Sequence, residues 1–128
     1  MSGFYNGITA QLMSWTLGEK PASVILRVAT VSDEYVFAPE HLGPDITGIL
    51  NMQDLDGTLV ESTVICEEIS LTEMVPGNTI QGFVFFFAWE GGTKPICFIN
   101  QATDLNLPFI VVSSEITVRF PPEGIFKI

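Results

Sequence analysis

The sequence predicts a mainly β protein, an antiparallel β-sandwich or jelly-roll-like barrel with one short N-terminal helix. Three observations lead there: short runs rich in β-branched and aromatic residues recur along the chain, Pro and Gly turn signals separate them, and helical spacing of apolar residues shows at the N-terminus. The 128 residues, 14.0 kDa, make a single β-rich domain over 1–128, large enough for one core and too small for a second. Hydrophobic residues reach 47% against 16% charged, which describes a packed chain that hides part of its surface against partners.

Taken in order, Phe4, Ile8, Leu12 and Trp15 recur at helical spacing and Asn6 can cap the start, predicting a helix from Phe4 to Trp15. Gly18 to Pro21 breaks it. "SVILRVATV", Ser23 to Val31, reads as a central strand, and "YVFAPEHLGPDI" as an irregular connection with one helical turn near Glu40 to Leu42. After the "DLDG" turn at Asp54 to Gly57, strands are expected at Thr58–Glu61, Ser62–Cys66 and Ile69–Thr72. "VPGN", Val75 to Asn78, has the Pro and Gly placement of a type II turn.

A long strand, Thr79 to Trp89, follows; "EGGTKP" reverses the chain and Pro95 to Asn100 returns as its antiparallel partner. Phe109–Ser113 and Glu115–Phe120 are the next strands, then a Pro121-Pro122 break and a terminal Ile125–Ile128. Ile116, Val118 and Phe120 share an apolar face while Thr117 and Arg119 take the other, so this strand is half exposed.

Within the long strand, Phe83, Phe85, Phe87 and Trp89 point to one side and Val84, Phe86 and Ala88 to the other. Both sides are apolar. One fills the core, and the other needs cover from the N-terminal helix or from another chain, because each buried aromatic contributes about 1.5–3 kcal/mol. Phe83, Phe85, Phe87 and Trp89 are therefore candidates for a subunit interface.

The formal net charge is -10, and the five basic residues, Lys20, Arg27, Lys94, Arg119 and Lys127, are scattered singly among fifteen acids. Nucleic-acid binding needs clustered cations that displace counterions, and an anionic membrane surface needs the same, so neither is an expected partner. The N-terminus "MSGFYNGITAQLMSW" lacks the features of a secretory signal, and the apolar runs fall short of a membrane-spanning helix, which predicts a protein made in the cytoplasm.

Little in the chain reads as catalytic chemistry. Cys66 and Cys97 lie inside apolar runs and read as buried thiols, with a disulfide as the alternative. His41 is the only histidine, lacks a nucleophile motif beside it and reads as a structural loop residue. Asp54 and Asp56 begin like a calcium loop, but Ile65 stands where the closing Glu belongs, so a solvated turn is expected. Glu67 and Glu68 would point to opposite faces of a strand, and "EGGTK" lacks phosphate-loop spacing. The expectation is a non-enzyme with no cofactor and no metal.

Several pieces, taken in order, resemble a family of small bacteriophage virion structural proteins. They are Phe4-Tyr5-Asn6 before a short helix, the strand "ASVILRVATV", Tyr35 with "HLGPDI" from His41 to Ile46, "GFVFFFAWEGG" with its partner "PICFIN", and Ile116-Thr117-Val118 with Gly124 to Ile128. The family commonly carries an acidic tract before the middle strand and a Trp in the last long strand; here the tract is thin and Phe120 takes the aromatic place. The resemblance implies a capsid decoration, or cement, protein that binds and stabilises the outer shell in many copies. It also implies a homotrimer docked on the major capsid protein, with Phe4 and Tyr5 as docking candidates, located in a virion assembled in the host cytoplasm. The alternative is a tail or fibre-attachment connector contacting tail proteins. From the residues, a carbohydrate-binding module using Trp15, Tyr35 and Trp89, or a hydrolase using two acids, are further alternatives.

Overall fold

A computed structural model of the chain describes residues 3–8, 18, 24–55, 58–60, 63–65, 68–100, 107–120 and 126–127. Among these, the strands are β1 (Gly3–Phe4), β2 (Ile25–Ser32), β3 (Ile49–Leu55), β4 (Thr58–Val60), β5 (Thr63–Ile65) and β6 (Glu68–Leu71). They continue with β7 (Thr79–Trp89), β8 (Gly92–Ile99), β9 (Phe109–Ile110), β10 (Ile116–Arg119) and β11 (Phe126–Lys127). Residues 6–8 are helical and Gly43–Asp45 form a 3-10 turn. The protein is mainly β with antiparallel sheets, as the composition and turn signals predict.

The main sheet runs β1-β8-β7-β2-β3, with β9 continuing the β8 edge against the start of β7. The hairpin of β7 and β8 spans Thr79 to Ile99, with Trp89 opposite Gly92 and Phe83 opposite Ile99. β2 lies between β7 and β3, the central place its β-branched composition predicts. Smaller sheets pair β10 with β6, and β11 with β5 and β4.

Alternation and register sort the main sheet into two apolar faces. On the first, Leu26 lies opposite Phe87, Val28 opposite Phe85, and Phe85 opposite Cys97. The second sheet covers this face with Ile69, Leu71 and Val118, and Phe120 beyond β10 sets its ring edge-on to Phe83 at 5.5 Å and Phe85 at 5.9 Å. On the second face Ala29, Val31, Val84, Phe86 and Phe98 are covered by Tyr5, Tyr35, Ile46 and Phe37. β7 is thus covered on both sides by its own chain.

That arrangement corrects an expectation. Phe83 and Phe85 are fully buried in the monomer and offer no surface to a second subunit. Phe87 is half-buried against the same core, and Trp89 is half-buried at the hairpin end. The cover on the second face is the Tyr35-to-Ile46 connection together with Tyr5, side chains whose contact with the sheet no local pattern encodes.

Other elements match or shift. The Val75–Asn78 turn is type II in form: Gly77 has φ 98°, and the Asn78 N–H donates to the Val75 carbonyl at 3.3 Å. β10 is half exposed, with Val118 buried and Thr117 and Arg119 out. The helix expected from Phe4 begins later, because Gly3 and Phe4 pair with Phe98 and Cys97 and supply the β8 edge with backbone partners. Leu12 and Trp15 lie outside the described residues. The helical turn expected at Glu40–Leu42 falls at Gly43–Asp45, where Pro44 presets φ and the Asp45 carboxylate accepts from the Leu42 N–H at 2.8 Å. β3 went unpredicted, since Asn51, Gln53 and Asp54 dilute its apolar pattern. Cys97 is a buried free thiol, and Cys66 lies outside the described residues.

Two positions carry expected outcomes. Gly82 sits mid-strand because a Cβ there would meet the Phe98 ring at 2.6 Å and the Ile99 carbonyl at 2.8 Å. Gly82→Ala is expected to lower stability by about 1–3 kcal/mol, read as a fall in the urea midpoint. Thr30 is fully buried and its hydroxyl has no hydrogen-bond partner among the described residues. Thr30→Val keeps the shape, removes the unsatisfied group and is expected to raise stability by about 1 kcal/mol; an unchanged or lower midpoint would show that the hydroxyl has a partner.

Candidate functional site

The predicted docking pair, Phe4 and Tyr5, separates in the structure. Phe4 is 47% exposed on the edge strand β1, whereas Tyr5 is 1% exposed. Tyr5 is corrected from a docking residue to a core residue, because the alternation of an extended segment turns its ring inward. Its N–H donates to the Ile96 carbonyl at 2.9 Å, its ring meets Phe37 edge-on at 5.1 Å, and its hydroxyl lies 2.5 Å from the Tyr35 hydroxyl. Phe37 stacks on Phe98 at 5.5 Å, and Tyr35 approaches Phe98 edge-on at 5.7 Å.

The hydroxyl chain continues from Tyr35 to His41 Nδ1 at 3.0 Å. Burial pushes the pKa of both phenols up, and at Tyr5 the hydrogen bond with Tyr35 adds to the rise. Both therefore stay protonated and neutral over the ordinary pH range. The cluster fastens the N-terminal segment to the connection between β2 and β3, a structural task that agrees with the reading of His41 as a loop residue.

Asp54, expected in a solvated turn, reaches Arg27 across β2 and β3 at 2.7 Å. Both partners are part-exposed, so the pair contributes about 0–1 kcal/mol. Asp56 lies outside the described residues. Among the described residues no three His, Cys, Asp or Glu side chains are grouped as a metal ion would need.

The surface feature that stands out lies at the opposite end of β7 from the β7–β8 turn. Residues 74–78 run beside 111–114: Gly77 N–H donates to the Val111 carbonyl at 2.9 Å, Val111 N–H to the Asn78 carbonyl at 2.8 Å, and Met74 N–H to the Ser114 carbonyl at 3.0 Å. Alternation then turns Met74 and Val111 into the core and leaves Val75 61%, Ile110 63% and Val112 78% exposed. Three aliphatic side chains form a ridge on a backbone held by those bonds.

Four acids lie at the same end of the sheets as the ridge. Ser32 pairs with Ile80, which brings the following Asp33 and Glu34 to this end of the sheet. Ile116 pairs with Leu71, which brings Glu115 and Glu73 here as well. All four are exposed, and among the described residues the two ion pairs, Arg27–Asp54 and Arg119–Glu68, involve none of them. The strand expected at Phe109–Ser113 is β9, shortened to Phe109–Ile110, and its continuation enters the ridge. The available signal for the ridge was "FIVV", where alternation must leave half of four apolar residues outside unless another layer covers them.

Comparison of the chain with protein-family profiles, with characterised proteins and with solved structures finds no match.

Proposed function

We propose that the protein is a structural component of a bacteriophage virion, a capsid decoration protein that binds the outer shell in many copies and stabilises it. The observation that carries the reading is the Val75, Ile110 and Val112 ridge, three well-exposed aliphatic side chains on two hydrogen-bonded runs, in a chain whose long strand β7 is covered on both faces. The sequence resemblance supports it, as does the arrangement of a rigid β framework with an acidic surface. Repeated modest contacts on a symmetric shell add through effective concentration. A net charge of -10 keeps such a coat soluble and away from packaged nucleic acid. The trimer implied by the resemblance would use surfaces other than Phe83 and Phe85, which are buried.

The test is the copy number in purified particles, measured by quantitative mass spectrometry against the major capsid protein. Copies on the order of hundreds per particle are expected for a symmetric coat. A dozen or fewer would place the chain in a tail or fibre connector, and absence from particles would overturn the reading.

A further inference from the structure

We infer that the ridge of Val75, Ile110 and Val112 is the docking surface, and that its partner is a protein surface with an apolar hollow rimmed by lysine or arginine. The inference rests on the decoration reading, in which that partner is the shell. Exposure and charge carry it together. The three side chains are 61%, 63% and 78% exposed, and they are held on two hydrogen-bonded segments. Little conformational freedom is therefore lost on docking.

Charge decides between partners. Asp33, Glu34, Glu73 and Glu115 share this end of the sheet, and the basic side chains described lie elsewhere. Arg27 pairs with Asp54, Lys94 sits opposite Phe87 near the far hairpin turn, and Arg119 pairs with Glu68 at the far end of β10. A two-fold contact of ridge on ridge would set these acids against their own copies, and a contact of the ridge with another face of a second copy would meet basic residues scattered singly, Arg27 and Arg119 already paired with acids, so a second copy of the chain supplies no cationic rim. A cationic rim satisfies both the apolar and the charged parts of the surface. Because the acids are exposed, the attraction is screened once their separation from the partner's charges exceeds a Debye length, about 8 Å at physiological salt.

The experiment is co-sedimentation of the purified chain with empty shells at low and high salt, beside variants checked for unchanged thermal unfolding. Val75→Ser with Ile110→Thr and Val112→Thr is expected to weaken binding at least about tenfold, and Glu73→Lys with Glu115→Lys to weaken it and flatten its salt dependence. Glu90→Lys, in the turn at the opposite end, is expected to bind as the unaltered chain does. Ridge variants that bind like the unaltered chain would overturn the docking surface while leaving the decoration reading in place. No binding by the unaltered chain would overturn both. A soluble oligomer that the ridge variants convert to monomers would assign the ridge to copy–copy contact and overturn the cationic partner.

Discussion

Phe85→Ala is expected to destabilise the protein by about 3–5 kcal/mol, a large part of the roughly 5–15 kcal/mol that holds a domain of this size together. Phe85 has no exposed surface, lies between Val28 on β2 and Cys97 on β8, and meets the Phe120 ring edge-on. Truncation removes the transfer free energy of the ring and leaves a cavity that two hydrogen-bonded neighbours and a second sheet cannot close. The urea midpoint reports the loss. It also separates core from subunit contact, because a residue buried within one chain contributes the same at every protein concentration. If Phe85 were a subunit contact, the midpoint of the unaltered protein would rise with concentration and the Phe85→Ala midpoint would not.

Alkaline solution is expected to unfold the protein well before it affects an ordinary β domain. Burial raises the pKa of Tyr5 and Tyr35, and of the Cys97 thiol, above their ordinary values. The folded chain therefore keeps protons that the unfolded chain releases, above about pH 8.5 for a thiol and about pH 10 for a phenol. Stability is full below those values and falls as pH rises, by about 1.4 kcal/mol per pH unit for each proton retained. Urea midpoints from pH 7 to 11 measure this as a slope that steepens once the phenols join the thiol. Tyr5→Phe should start less stable at neutral pH, having lost the hydrogen bond to Tyr35, and should then decline less steeply above pH 10. A flat profile across this range would show that the phenols and the thiol ionise in the folded state without cost.

Much of the fold is legible in the residues. β7 has the bounds its sequence predicts, Thr79 to Trp89, because turn residues stand at both ends of an uninterrupted β-forming run. The Val75–Asn78 turn follows from Pro76 and Gly77, whose backbone preferences are local properties. β3 is the counter-example: its Asn51, Gln53 and Asp54 are accommodated because β2 pairs with it in register and because Arg27 faces Asp54. Its identity as a strand comes from a neighbour more than twenty residues earlier.

The candidate site was legible in part. Phe4 is exposed on the edge strand, while Tyr5 is buried with Tyr35, a partner thirty residues away that local spacing does not reveal. The ridge was hidden for the complementary reason. Val75 belongs to a predicted turn and Val112 to a predicted strand, and their shared exposure shows only when the chain runs that carry them are laid side by side.

By itself the sequence determined the class of the protein: an acidic, mainly β chain with its strongest strand at Thr79–Trp89 and turns where Pro and Gly place them. These are consequences of backbone preference and two-residue periodicity, which act over neighbouring residues. Only the tertiary structure decided which apolar faces are covered and by what. Phe83 and Phe85 went inside under Phe120, the second face went under Tyr5, Tyr35 and Phe37, and Val75, Ile110 and Val112 stayed in water. Burial depends on which distant segments meet, and a two-sided apolar strand has the same sequence whether its cover comes from its own chain or from another.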